Sequence, residues 1–218
     1  MLKCLVYLLI CGLAFSAPKR HKKRLATPIT PSSLTAEIEE AWAKTLSYQT
    51  SFKQTVGSKR LKTTDETTGV LYVAKPGRLR WEGSDGVTQI LNGNKVILIK
   101  TSKRRKTRTI DIYENGSRDL DLRALSFLSM DGKFSNNYDL LVLDSSGPLI
   151  QMKLTPQSKV SDPYIAELDK SGYLLLALNI ESSDSNVRIE FMDRKVNQPL
   201  AESLFDYVPE PDDLVHKH

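Results

Sequence analysis

Cysteine is almost missing from this 218-residue chain: Cys4 and Cys11 are the only two. Beyond Cys11 there is no thiol, so the body of the protein has neither a disulfide framework nor thiolate chemistry. Histidine is as scarce, with His21, His216 and His218 all near an end. The interior of the sequence therefore lacks the usual parts of a nucleophilic triad or a transition-metal site. No P-loop or dinucleotide fingerprint occurs. Carboxylate pairs remain, Asp119 with Asp121 and Asp139 with Asp144. Each falls at the edge of an expected strand or helix, where solvated charge is the ordinary role. The expectation is a protein that is not an enzyme, with no cofactor and no metal.

Long hydrophobic runs are missing as well, except at the start. Behind Lys3, Cys4–Phe15 is almost wholly apolar. A run of about a dozen residues is short for a membrane span and fits the core of a secretory signal peptide. Ala14 and Ser16 supply the small residues of a cleavage site after Ser16. Ile10 precedes Cys11 where a lipobox wants a small residue, so the chain is not read as lipidated itself. The organisation expected is a signal peptide over 1–16, a flexible basic arm over 17–32, one domain over 33–211 and a frayed tail over 212–218. The location expected is the periplasm.

The formal net charge is +5, unevenly spread. Lys19, Arg20, Lys22, Lys23 and Arg24 form one basic cluster. Lys100, Lys103, Arg104, Arg105, Lys106 and Arg108 form another, and Glu202, Asp206, Glu210, Asp212 and Asp213 gather near the C-terminus. In an exported protein such a loop suits anionic lipid headgroups or an acidic protein partner better than nucleic acid. Lys103, Arg104, Arg105 and Lys106 are the candidate docking residues. An exported anion-binding adhesion module would use this loop alone.

From Ser33, a candidate N-cap, Leu34, Ile38, Ala41, Trp42 and Thr45 recur at helical spacing. At Tyr48 the period drops to two. Strands are expected over 48–56, 68–74, 79–82, 87–91, 95–100 and 105–113, then over 138–143, 149–156, 164–168, 174–180 and 186–191. A last short one is expected over 204–208. Asn92-Gly93 marks a hairpin. Leu120–Met130 suits a short apolar helix. About eleven antiparallel strands with no domain break fit either a sandwich or one strongly curved sheet. Two apolar helical segments favour the curved sheet, with helices plugging its concave side.

Gly69–Trp81, GVLYVAKPGRLRW, is the most telling stretch. It reads strand, turn, strand, with Pro76 fixing φ and Gly77 free to take the positive φ of a type II turn. Alternation puts Leu71, Val73 and Lys75 on one face, and Leu79 and Trp81 on one face of the next strand. With Leu122, Leu125 and Leu128 these four apolar residues are the candidate lining of an apolar container. Lys75 is a candidate latch, donating to backbone carbonyls of the 120–130 segment.

The same stretch resembles the signature of the LolA family of outer-membrane lipoprotein carriers: glycine, apolar strand, basic residue before proline, short strand ending in tryptophan. Further matches follow in order. Leu46–Gln54 is similar to the family's opening strand ending in Phe-x-Gln. Gln89–Gly93 resembles its next hairpin, Met152–Pro156 its Leu-Thr-Pro strand end, and Leu204–Pro209 its closing Phe-x-Tyr-x-Pro. Two departures are Lys75 where the family pattern has arginine, and the aliphatic run Val96–Ile99 where an aromatic strand is common.

The resemblance implies a mainly β (α+β) fold, an unclosed antiparallel β-barrel with a helical lid over an apolar cavity. It implies a monomeric periplasmic chaperone whose cargo is acylated lipoproteins. Such a carrier takes them from an inner-membrane ABC transporter and passes them to an outer-membrane receptor. The alternative on the same fold is a periplasmic carrier of another lipid or glycolipid.

Overall fold

The structure is a computed structural model that describes residues 31–102, 107–114, 134–157 and 162–218. Its one α-helix among these, α1 (Pro31–Lys44), opens on a proline and ends on a lysine, both suited to those termini. It starts two residues before the expected cap. Leu34, Ile38 and Trp42, spaced by four, are buried along one side.

The period-two stretches form a single sheet. Its strands are β1 (Ser47–Ser58), β2 (Thr63–Ala74), β3 (Arg78–Gly83), β4 (Val87–Asn92), β5 (Lys95–Ser102) and β6 (Thr107–Tyr113). They continue as β7 (Tyr138–Asp144), β8 (Leu149–Pro156), β9 (Tyr164–Asp169), β10 (Leu175–Glu181), β11 (Ser185–Val196) and β12 (Leu214–Lys217). The order across the sheet is β12-β6-β5-β4-β3-β2-β1-β11-β10-β9-β8-β7. Every neighbouring pair is antiparallel except β12 with β6, which is parallel. The two end strands, β12 and β7, do not pair with each other, so the barrel is unclosed, as expected. Among the described residues no helix is long and apolar enough to cross a membrane.

Two turns follow the sequence reading closely. Gly77 sits at φ +63 and Gly93 at φ +60, the region where a Cβ is costly. The Lys75–Pro76 bond is cis, which the spacing did not foretell. Asn92 pairs with Lys95, so Asn92 belongs to β4 and the two-residue hairpin loop is Gly93-Asn94.

The sheet curves. Buried side chains from β2 and β3 share one cluster with others from β8 to β11, and Leu34, Ile38 and Trp42 of α1 belong to it. Strands so far apart in the sheet order meet only if the inner face wraps around the helix. Trp42 sets edges against Tyr48 and Phe134 with ring centroids 5.8 and 6.1 Å apart. Its indole Nε1 donates to the Tyr173 carbonyl at 2.9 Å. Tyr173 in turn donates its hydroxyl to Glu37 at 2.6 Å. The helix is thus fixed by apolar packing, by the bond that satisfies the part-buried Trp42 indole and by an exposed bond from Tyr173 to Glu37.

The C-terminal end departs from expectation in two places. The strand expected over 204–208 is a 3-10 turn, Glu202–Phe205, with Phe205 buried. The tail expected to fray carries β12. The reason is on the outer face of β4 to β6, where Ile90, Ile97, Ile99, Ile110 and Ile112 form a second buried cluster with Tyr207 packed on it. Burying that face requires a cover, which the segment through Phe205 and Tyr207 supplies, and the chain beyond it joins the sheet edge as β12 beside β6. Charge holds the cover in place. Arg78 meets Glu202 at 2.6 Å and Lys95 meets Asp206 at 3.6 Å. Arg108 bonds Asp213 at 2.7 Å and also reaches Glu210. Tyr207 donates its hydroxyl to Asp213 at 2.6 Å.

Candidate binding cleft

The inner face is not uniform along its strands. At one end Leu71, Val73 and Leu79 are fully buried, in one cluster with Leu34, Ile38 and Trp42 of α1. Toward the other end stand Phe52 and Trp81, stacked with ring centroids 3.5 Å apart and 25° between planes. Position 69 makes this stack fit. Gly69 pairs with Phe52 across the strands. A Cβ on it would come 2.5 Å from the Phe52 ring and 1.9 Å from the Glu82 carbonyl oxygen. The glycine that opens the signature stretch is therefore a space the Phe52 ring occupies.

Beyond the stack the inner face opens into a cleft of about 540 Å³, within the range of small-ligand sites. One wall brings Val56, Trp81 and Gln89 from β1, β3 and β4. The other brings Ile180, Val187 and Ile189 from β10 and β11. Gln54, Thr67, Asp85, Val87, Asp162, Ser182 and Ser185 complete the described lining. The Gln89 side-chain oxygen is shielded from solvent and accepts no hydrogen bond among the described residues. A larger groove of about 680 Å³ lies on the outer face of β8 to β11. Its Arg188 is committed to Glu167 and Glu190 at 3.1 and 3.3 Å. Thr55, Pro163, Ile165, Asn179 and Glu181 also line that groove.

Of the lining candidates read from sequence, Trp81 borders the cleft. Leu71, Val73 and Leu79 share the packed cluster with Trp81 and are not among the cleft's described lining. Leu122, Leu125 and Leu128 lie outside the described residues. The cleft's remaining lining was missed, although the alternation of β1, β4 and β11 places Val56, Val87 and Val187 on the same face as Trp81.

Lys75 donates its ammonium to the Trp42 carbonyl in the last turn of α1 and stands 6.0 Å from the Trp42 ring centroid. Its acceptor among the described residues is therefore on α1, and the 120–130 segment lies outside them. Lys75 is also at the far end of β2 from Thr67, roughly 26 Å along the strand. Of the basic loop, Lys103, Arg104, Arg105 and Lys106 lie outside the described residues. Its flanks are paired: Lys100 with Asp111 at 3.6 Å, and Arg108 as above. Asp119 and Asp121 also lie outside the described residues. Asp144 accepts from the Ser146 backbone and hydroxyl, each at 2.8 Å. The backbone bond first, then the hydroxyl, holds its carboxyl below the usual range. Asp139 accepts from Gln157 at 3.3 Å. The Asp144 bonds are local to the β7–β8 turn, and the Asp139 bond ties β7 to the end of β8.

Solved structures superpose on this chain at low identity. An uncharacterized conserved protein of Thermus thermophilus superposes with a TM-score of 0.52 at 11% identity, over 87% of this chain and 100% of its own. A DUF1329 family protein of Desulfovibrio piger gives 0.50 at 9%, over 81% and 98%. A LolA superfamily protein of Nitrosomonas europaea gives 0.48 at 12%, over 82% and 98%. No curated protein matches the chain in sequence. The family model described as outer membrane lipoprotein carrier protein LolA matches residues 43–208, most of the chain, and with that match the chain belongs to the LolA family.

Proposed function

We propose that this protein is a periplasmic chaperone that holds the acyl chains of lipoproteins in the inner cleft and carries them from the inner to the outer membrane. The observation that carries the reading is the cleft itself: an opening walled by Val56, Trp81, Ile180, Val187 and Ile189 on the inner face of a sheet whose family is named for lipoprotein carriage. Cys4–Phe15 supplies export, with cleavage after Ser16. The inner-membrane ABC transporter is the donor and an outer-membrane receptor the acceptor.

The energetics favour direct hand-over. Each acyl CH₂ moved from water to an apolar site gains about 0.8 kcal/mol. Several long chains together would exceed the ceiling of ordinary non-covalent affinity, about 20 kcal/mol, if they were fully sequestered. A working carrier therefore holds its cargo partially and passes it on without releasing it to water. An open barrel end suits this, because a partner can meet the chains at the rim.

An environment-sensitive apolar dye tests the reading. It should bind the folded protein and be displaced by an acylated peptide but not by the same peptide without its chain. Equal displacement by both would refute carriage of acyl groups.

A further inference from the structure

The unclosed barrel leaves two sheet edges, and they are built differently. β12 is four residues long and carries His216 and Lys217. A short strand with a cation is the ordinary protection of an exposed edge. β7 is seven residues long, and Tyr138–Asp144 contains no lysine, arginine or proline. Among the described residues its ladder runs to β8 alone. The other side of Asp139–Leu143 therefore offers backbone N–H and C=O groups to a neighbour.

The face beside that edge is apolar. Leu140 and Val142 are half-buried and pack inward on the main cluster. Leu141 and Leu143 point outward and are 57% and 47% exposed. Leu149 of β8 and Ile165 of β9 lie exposed on the same outer face, with Lys153 in register between Leu141 and Ile165. Four of the ten large hydrophobic side chains exposed among the described residues thus gather on three adjacent strands. Such a gathering marks a contact surface. A lipid surface does not suit it, because the backbone groups of the edge would enter hydrocarbon unpaired. A second β-strand does, because it supplies their hydrogen-bond partners.

The strand's own sequence points to the occupant. Asp-Leu-Leu-Val-Leu-Asp over 139–144 reads nearly the same in both directions, and a two-fold contact needs a surface complementary to itself. Antiparallel pairing about an axis at Leu141 sets Leu141 against Leu141 of the second copy, Leu140 against Val142, and Asp139 against Leu143. Inward residues then meet inward ones and outward residues meet outward ones. Charge favours the same direction. Asp139 of one copy lies toward the β7–β8 turn of the other, where Lys170 donates its ammonium to the Ser145 carbonyl at 2.7 Å. Parallel pairing would set Asp139 beside Asp139. The register irregularity between Val142 and Asp144 marks where the pairing ends.

We propose that the protein forms a homodimer by antiparallel pairing of β7 with β7 of a second copy, which continues one sheet across both molecules. The family resemblance implies a monomer, and the carrier reading does not depend on this contact.

Sedimentation equilibrium and cysteine cross-linking test the dimer. The purified wild type should show a reversible monomer–dimer equilibrium. Leu141→Lys sets two ammonium groups opposite each other and should weaken dimerisation at least roughly tenfold. Leu141 is exposed, so circular dichroism and dye affinity should stay at the wild-type values. Leu141→Cys, in a background of Cys4→Ser and Cys11→Ser, should close a disulfide between copies on oxidation. Directly opposite residues of an antiparallel pair stand about 4.5–5.5 Å apart at Cα, within disulfide reach. Ile165→Cys, two strands from the edge on the same face, should not cross-link. A wild type that stays monomeric at every concentration overturns the proposal. So does a dimer that survives Leu141→Lys, or cross-linking at Ile165 equal to that at Leu141. A monomer that sediments with phospholipid vesicles, and no longer does so as Leu141→Lys, overturns it too, because the face would then meet lipid.

Discussion

At the Ala74 end of β2 the inner face is packed solid, and at the Thr67 end of the same strand it lines a cleft. The packed end is filled by aromatic and long aliphatic groups: Trp42, Tyr48, Phe134, Leu71, Leu79 and their neighbours. The open end has shorter or polar side chains at equivalent positions: Val56, Thr67, Val87 and Gln89. Helix α1 contributes to the first and to none of the described lining of the second. One alternating pattern therefore serves two purposes along each strand. Folding stability is concentrated where α1 covers the sheet, and binding space is left where it does not. The Phe52–Trp81 stack is the border between them.

The strongest way to break this comparison is Trp42→Ala. Removing a buried tryptophan should lower stability by about 3–5 kcal/mol, read by chemical denaturation. The folded fraction should keep its affinity for the apolar dye. Loss of affinity in fully folded protein would mean that the two ends are not separable. Gly69→Val strikes the border. Its Cβ would collide with the Phe52 ring and the Glu82 carbonyl, and overpacking of this kind costs about 1–3 kcal/mol. Tryptophan fluorescence should report the unstacking of Trp81, and dye affinity should change along with stability.

Thr67→Trp fills the open end instead. Stability should move by less than about 1 kcal/mol, since Thr67 is outside the packed cluster, while dye and acyl-peptide binding should fall at least tenfold in titration. Lys75→Leu removes the tie from β2 to the Trp42 carbonyl at the packed end. About 1 kcal/mol of stability should be lost with acyl binding kept. If α1 shifts during hand-over, transfer of acyl peptide to acceptor membranes should slow. Transfer at the wild-type rate would make Lys75 a structural tie only.

The smallest effect belongs to the outer cover, a control that touches neither end. Tyr207, then the Glu210 backbone N–H and Arg108, hold the Asp213 carboxyl below the usual range. A depressed carboxyl stabilises the native arrangement above its unfolded value, about 3.9, and that contribution is lost as pH falls through the lower folded value. Burial first, then the bond to Asp213, pushes the Tyr207 hydroxyl up to about 12. Its contribution is present below about 10 and lost as pH rises through about 12. Methyl signals of Leu214 and Val215 should therefore stay native between these limits and broaden at both extremes. Loosening that begins near neutral pH would contradict the arrangement.

The sheet was readable because alternation is a local property. A side chain's face follows from its position in the strand, whatever the strand packs against, so Leu71, Val73, Leu79 and Trp81 were placed together on one face. Whether that face is solid or open at a given residue was not readable. Leu79 and Trp81 are two residues apart with the same orientation and both belong to the packed cluster, yet only Trp81 also borders the cleft. The difference comes from where α1 and the far wall of β10 and β11 reach, a matter of sheet curvature. The 3-10 turn at Glu202–Phe205 and strand β12 were misread for a related reason. A short segment laid over an outer face or along a sheet edge takes its conformation from the residues it meets there, and these are distant in sequence.

By itself, then, the sequence determined the element order, most strand faces, the turns at Gly77 and Gly93, and the family, because each depends on neighbours in the chain. Tertiary structure decided which end of the inner face is filled and what Gly69 makes room for. It also gave Lys75 an acceptor on α1, the Trp42 carbonyl. Those outcomes depend on contacts between residues far apart in the chain, which exist only once the sheet has curved around its helix.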